Sequence, residues 1–286
     1  MGEGLGQRSS TNKPMPHTRE FRFTDQDFQH IRELIHGYAG IALADSKKEL
    51  VYSRLTRRLR ATGLNTFAEY LALLQRKNDA EWESFINSLT TNLTSFFREA
   101  HHFTLLAEHL RQLDRAQPIR LWCSACSTGE EAYSMAITVA ETCGDLNQPA
   151  TIIASDLDSH VLATARAGRY KADALAKLSV QRIERFFTPT DAGYFSVRPE
   201  LQRMIEFKRI NLLDAGYPLH EKLDAIFCRN VMIYFDKDTQ LAILKKFAPM
   251  LKPDGLLFAG HSENFYHAAA YFKLRAQTVY ERAADV

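Results

Sequence analysis

"LWCSACSTGEEAYSMAIT", residues 121–138, is the stretch that decides the architecture. It closes a β-type run that begins at Ile119. It then passes through the small residues Ser124, Ala125 and Ser127, and from Glu130 onward reads as a helix. A strand that turns through small residues into a helix is the opening unit of a doubly wound α/β sheet. The same stretch holds Cys123-x-x-Cys126, a spacing shared by redox dithiols and half zinc sites. Only four cysteines occur, with Cys143 and Cys228 the others, and no second C-x-x-C supplies further ligands. The expectation is no metal, and two cysteines that serve as small buried fillers.

Downstream the alternation continues. "ATIIASD", "IEFKRIN", "LDAIFCRN" and "GLLFAG" read as strands, separated by the helical "SHVLATARAG" and "KDTQLAILKKFAPML", and "YFKLRAQTVYER" reads as a strand pair. "VQRIERFFTPTDAGYFSVRPELQR" fits this scheme poorly and predicts a helix, a turn and a short hairpin inserted into it. Upstream of Pro118 the pattern is helical throughout. Thr24 is the expected cap of the first helix; Asp45 or Ser46 is the expected cap of the second, and Gly63 its stop. The expected division is a disordered tail over 1–20, an all-helical domain over 21–90, a linker and connecting helix over 91–117, and an α/β domain over 118–286. The inserted β-subdomain is placed at about 186–206.

Composition narrows the function. The chain has 286 residues, 45% hydrophobic and 24% charged, with a formal net charge of +2. So small a charge argues against a general binder of nucleic acid or membrane surfaces. No apolar run nears the roughly 18 residues needed to span a bilayer. "MGEGLGQRSSTNKPMPHTRE" lacks the apolar core of a signal peptide, so the chain reads as cytoplasmic, with no membrane insertion.

In a doubly wound sheet the ligand binds at the carboxyl ends of the strands, near the reversal of strand order. The turn after the first strand has one glycine where a pyrophosphate cradle needs several, which disfavours a dinucleotide. Thr128-Gly-Glu-Glu131 is also a capping box. Spacing leaves two roles open for Glu131, helix closure or contact with a cationic ligand group such as an ammonium. Asp156 ends the second strand, 27 residues past Gly129, where a carboxylate accepts hydrogen bonds from ribose hydroxyls. Its alternative is to cap the next helix, which Asp158 could do instead. Asn211, Arg229 and Asn230 follow the third and fourth strands, and polar groups on neighbouring strand ends suggest one shared ligand. "RNVMIYF" lacks the Pro-Pro loop of amino-group and nucleic-acid methyltransferases.

"TTNLTSFFREAHHF", "CSACSTGEEAYSMAI", "ASDLD", "FCRNVMIYFD" and "LKPDGLLFAGHSE", in this order between Phe21 and Tyr280, resemble the CheR family of chemotaxis receptor methyltransferases. The resemblance implies a class I S-adenosylmethionine-dependent methyltransferase domain with a Rossmann-like sheet and a small inserted β-subdomain, behind an all-α N-terminal domain. It implies an enzyme, a protein-glutamate O-methyltransferase acting on the cytoplasmic helical region of methyl-accepting receptors in sensory adaptation. S-adenosyl-L-methionine is the cofactor implied, and S-adenosyl-L-homocysteine the product. By matching positions, Asn92, Thr94, Arg98, Glu131, Asp156, Asn211, Leu212, Arg229 and Asn230 would hold the cofactor. Arg98 and Tyr234 would stand at the reacting centre.

A glutamate side chain is already an anion at pH 7, so this transfer needs no general base, and the lack of an obvious catalytic His or Cys fits. In the second helix Lys47, Arg54 and Arg58 flank an apolar stripe, and the resemblance makes them an expected docking face for an acidic receptor helix. Relatives that bind a receptor's C-terminal pentapeptide carry a longer, glycine-richer turn than "FFTPTDAGYFSVRPEL", so pentapeptide dependence is not expected here. A monomer is expected. The competing readings are a nucleic-acid methyltransferase and a catalytically silent cofactor-binding regulator.

Overall fold

The structure, a computed structural model, describes residues 19–76, 79–114, 116–144 and 150–283. Most of the expected tail lies outside them. Arg19 and Glu20, placed in that tail, are described, and they form ion pairs with Glu49 and Arg60.

Four helices make the N-terminal domain: α1 (Asp25–Ala39), α2 (Lys48–Thr62), α3 (Phe67–Gln75) and α4 (Asp79–Leu89). Thr24 caps α1 as expected. Its hydroxyl accepts from the Asp27 N–H, and Asp27 accepts from the Thr24 N–H, closing a full capping box. The apolar i, i+3, i+4 spacing of Phe28, Ile31 and Ile35 turns inward against Val51, Leu55, Leu59, Phe67 and Phe85. Each such side chain contributes about 1.5–3 kcal/mol on full burial. Gly63 stops α2 in the left-handed conformation. Neither Asp45 nor Ser46 caps it, because residues 45–47 form a 3-10 turn that leads straight into the helix.

Helix α5 (His101–Gln112) leads into the α/β domain and packs Phe103, Leu106 and Leu110 against the sheet core. The main chain then runs β1 (Ile119–Cys123), α6 (Glu130–Cys143), β2 (Ala150–Asp156), α7 (Ser159–Ala167), β3 (Arg169–Lys171), α8 (Ala172–Leu175), α9 (Val180–Phe186), β4 (Phe187–Pro189), β5 (Tyr194–Val197) and α10 (Pro199–Gln202). It ends with β6 (Ile205–Arg209), β7 (Leu223–Cys228), α11 (Lys237–Phe247), β8 (Leu251–Ala259), β9 (Phe272–Ala276) and β10 (Val279–Arg282). Seven strands form one sheet in the order β6-β2-β1-β7-β8-β10-β9. The first five pair in parallel, and β10 runs antiparallel to both its neighbours. All six residues of β7 are buried, as a parallel strand covered on both faces requires. Strand order reverses between β1 and β7, which puts the ligand crevice above their carboxyl ends. No helix among the described residues is long and apolar enough to cross a membrane.

The inserted sheet is antiparallel, in the order β3-β5-β4. It begins at Arg169, well before the expected start near 186, and Ile205–Arg209 belongs to the main sheet through β2. Strand β3 is three residues long and comes directly after α7, too short for an alternating pattern to show in sequence.

The two domains are joined at the crevice. The Ala42 N–H donates to the Tyr234 carbonyl at 2.7 Å, and Asn211 Nδ2 donates to the Tyr38 carbonyl at 2.8 Å. Gly40 has φ +70, and a Cβ there would lie 2.9 Å from the Leu213 side chain. Only glycine lets the end of α1 come this close.

Candidate functional site

The β1–α6 turn is built by conformation rather than by capping. Ser127 has φ 48 and Gly129 φ 100. A Cβ on Gly129 would stand 2.8 Å from the Tyr170 hydroxyl and 2.9 Å from Ala165 Cβ, so the turn seats against α7 only with glycine there. The capping box that the spacing allowed does not form. Gly129 is the N-cap, and the Thr128 hydroxyl donates to Glu130 Oε2 at 2.6 Å. Glu131 is thereby left for the crevice.

Glu131 meets Arg229, whose Nη1 lies 2.7 Å from Glu131 Oε2. Burial pushes the Glu131 carboxyl up, and the guanidinium pulls it back. Arg229 is itself buried and reaches two further groups, the Arg98 carbonyl and Glu99 Oε2, the latter at 3.2 Å. Breaking such a buried pair from one side costs about 3–5 kcal/mol. Phe97 and Glu99, on either side of Arg98, have φ 51 and 56, a conformation non-glycine residues take when their surroundings fix it. Arg98 sends Nη1 to the Leu93 carbonyl at 2.7 Å, which ties the linker into a loop.

The Cys123 thiol donates to Glu131 Oε1 at 3.2 Å, and Cys126 lies against the Ser127 carbonyl. Both are fully buried, and burial pushes both thiols well above their ordinary range. Among the described residues no group of three or more His, Cys, Asp or Glu could hold a metal ion.

At the end of β2 the two aspartates divide the work. Asp158 caps α7, accepting from the His160 N–H at 2.8 Å, and so Asp156 is not the cap. Asp156 accepts from the Ser127 N–H at 2.9 Å and the Asp158 N–H at 3.1 Å, while burial raises its pKa. Asn92 Nδ2 reaches Asp158 at 3.3 Å, and its carbonyl accepts from the Ser127 hydroxyl, which brings the linker over the turn. Asn211 is a turn former too: its Oδ1 accepts from the Leu213 N–H at 3.0 Å.

The loop after β7 is shaped by a residue to which the sequence reading gave no role. Glu263, 5% exposed, accepts from the backbone N–H groups of Asn230 (3.0 Å), Ile233 (3.3 Å) and Gly260. Asn230 has φ 59, and its side chain donates to Glu99 Oε1 at 3.3 Å. Glu99 lies within "TTNLTSFFREAHHF" and Glu263 within "LKPDGLLFAGHSE", but apart from Gly260 the partners just named are distant in sequence.

One cleft of about 290 Å³ lies across these elements. Asn92, Thr94, Arg98, Glu131, Asp156, Asn211, Leu212, Arg229, Asn230 and Tyr234 all line it, so every residue expected at the cofactor or the reacting centre converges there. The N-terminal domain supplies another wall through Ala39, Ile41, Ile86 and Thr90, a contribution the sequence reading did not anticipate. The expected docking flank on α2 does not hold together. Arg58 makes a two-pronged pair with Glu81 at 2.7 and 3.0 Å, and Arg54 donates to the Ser88 and Thr90 carbonyls at 3.2 and 2.9 Å. Both guanidiniums brace α2 against α4 and the residues just after it. Lys47 is exposed, without an ion pair among the described residues.

Comparison with known proteins agrees with this geometry. The family model described as the CheR methyltransferase all-alpha domain matches residues 26–90, and that of the CheR methyltransferase SAM binding domain matches residues 92–281. A chemotaxis protein methyltransferase of Salmonella typhimurium is 52% identical over 272 residues, covering 94% of each chain. Chemotaxis protein methyltransferase 2 of Pseudomonas aeruginosa is 50% identical over 279 residues, covering 96% of this chain and 99% of the other. The chemotaxis protein methyltransferase of Escherichia coli K12 is 51% identical over 272 residues, covering 94% of each.

Proposed function

This chain belongs to the CheR methyltransferase family, and on that premise we propose that it esterifies glutamate side chains of methyl-accepting chemotaxis receptors. The coarser identity needs no proposal: it is an S-adenosylmethionine-dependent methyltransferase of the chemotaxis type. The observation that carries the finer reading is the convergence of ten residues, from the linker and the α/β domain, on one cleft at the switch point of the sheet, with the N-terminal domain as a further wall.

The donor set fits the cofactor. Asp156 offers a half-buried carboxylate to vicinal hydroxyls, and Glu131 offers a buried one to an ammonium. Leu157, Ile210 and Leu212 give an apolar surface suited to an adenine ring. The single glycine of the turn suits a ligand without phosphates.

When bound, S-adenosylmethionine supplies an electrophilic methyl group on a positively charged sulfur. An acceptor glutamate arrives already ionised, so no residue has to take a proton. What the protein must do is align oxygen, carbon and sulfur, and keep water out. Arg98 orients the cofactor or the incoming carboxylate, and Tyr234 packs at the reacting centre. Tyr234 is held there by its backbone carbonyl, which accepts from Ala42 of the N-terminal domain. An acidic receptor helix would meet two exposed cations, Lys47 in the turn before α2 and Arg57 on α2 itself, since Arg54 and Arg58 are engaged internally.

The test is transfer of labelled methyl groups to receptor-containing membranes, with base-labile esters as the readout and RNA as a control acceptor. Wild type labels the receptor; Arg98→Ala loses at least about tenfold in turnover and in affinity for S-adenosylhomocysteine. Unchanged turnover and affinity in that variant would remove Arg98 from the site. Labelled RNA without labelled receptor would overturn the acceptor.

A further inference from the structure

Leu93 and Ile233 both line the cleft, yet they are 75% and 52% exposed. The apolar wall offered to the cofactor is different: Ile210 and Leu212 are only 3% and 7% exposed. A side chain that lines a cleft and still meets solvent stands at its mouth. Leu93 stands there on the linker, and Ile233 on the loop after β7. Val180, Tyr266 and Leu274 are also large, apolar and exposed, but none of them lines the cleft.

Neither mouth residue is loosely held. The Leu93 carbonyl accepts from Arg98 Nη1 at 2.7 Å, and the Asn92 carbonyl before it accepts from the Ser127 hydroxyl at 3.3 Å. The Ile233 N–H donates to Glu263 Oε1 at 3.3 Å, and the Tyr234 carbonyl after it accepts from the Ala42 N–H. The backbone is fixed at both positions, so a partner that covers these side chains has little ordering left to impose. Arg98, half-buried and bonded to Leu93, sets a cation beside the apolar rim. Such a mouth fits an anionic side chain that projects from an apolar surface. On a helix, residues three and four positions from a glutamate share its face, with Cβ atoms about 5–6 Å apart. When the glutamate enters the cleft, these neighbours come down on the rim.

We infer that Leu93 and Ile233 seat the acceptor helix, packing against apolar side chains three and four residues from the glutamate and drying the mouth for transfer. This rests on the reading of the acceptor as a receptor glutamate. It gives the linker and the loop after β7 a share in choosing that glutamate. A site with charged helical neighbours would have to strip water from them against the rim.

The experiment titrates receptor-containing membranes into the labelled-methyl assay at saturating S-adenosylmethionine. Affinity for S-adenosylhomocysteine is measured separately by calorimetry. Leu93→Ser and Ile233→Ser each raise the receptor KM on the order of tenfold, while affinity for S-adenosylhomocysteine stays within twofold of wild type. Leu93→Met and Ile233→Val keep the apolar surface and retain the wild-type KM to within twofold. A receptor KM within twofold of wild type in both serine variants overturns the inference. So does a loss of S-adenosylhomocysteine affinity as large as the rise in KM, because the two side chains would then belong to the cofactor site. Wild-type protein that binds S-adenosylhomocysteine but labels no receptor would instead overturn the acceptor reading beneath it.

Discussion

Replacing Glu263 by glutamine isolates the bracing of the loop that carries Arg229, Asn230 and Tyr234. The carboxylate takes three backbone N–H groups on two oxygens: Asn230 and Gly260 on Oε2, and Ile233 on Oε1 at 3.3 Å. A glutamine has one acceptor oxygen, so its amide N–H₂ must face at least one of these donors. Leaving a buried donor unmet costs about 1–3 kcal/mol. Part of this is offset, because burial raises the Glu263 pKa and the neutral amide avoids burying a charge. The net is about 1–2 kcal/mol, which in a unit of this size lowers Tm by roughly 2–8 °C. Activity should fall further than stability. The loop sets the Tyr234 ring and the Arg229 fork, and a displacement of about 1 Å at a reacting centre costs on the order of a hundredfold. Scanning calorimetry and labelled-methyl transfer, both below the lowered Tm, measure the two effects. A variant with wild-type Tm and wild-type kcat would show that the three N–H groups do not depend on this carboxylate, and the reasoning would fail.

The remaining contacts lead to further expected outcomes. Asp236 accepts from the Thr239 N–H at 2.8 Å and pairs with His36 at 2.8 Å, joining α11 to the N-terminal domain; these bonds hold its pKa down to about 2. A depressed acid stabilises the fold above its ordinary pKa of 3.8 and loses that contribution as pH falls toward 2. With the side chain two-fifths exposed and screened by solvent, Asp236→Ala costs about 1 kcal/mol at pH 7, and urea midpoints should converge with wild type below pH 3. A gap that stays constant with pH would contradict this. Cys123→Ser with Cys126→Ala should keep most activity, because both positions are small buried fillers; loss of a bound metal on that change, seen by elemental analysis, would refute it. The β4–β5 connection is the short Thr190–Gly193 segment. Titration with a pentapeptide ending in an aromatic residue should show no binding in the micromolar range, and micromolar binding would restore pentapeptide docking.

What the sequence disclosed divides along lines of range. Strands β1, β2, β7 and β8 were legible because a buried parallel strand reads as a short apolar run between turn residues, and the edge strand β6 because Ile205 and Phe207 alternate with charged residues. The cleft residues on their carboxyl ends were legible for the same reason, since the end of a strand fixes where the next few residues must lie. Thr24 and Gly63 were legible because caps act within four residues. What failed was decided by partners far away in the chain. Arg58 reads as a free cation on a helical wheel, and only the fold shows Glu81 taking it; Arg54 is claimed by carbonyls more than thirty residues downstream. Even the capping box failed this way. Thr128 and Glu131 have the spacing, but Arg229, nearly a hundred residues on, holds the carboxylate more strongly than a helix N–H could. The charge of the site is likewise absent from any local motif: it arises when Glu99 and Glu131 converge on one guanidinium. A docking face or a pocket potential inferred from helical spacing alone therefore counts charges that the folded chain has already paired.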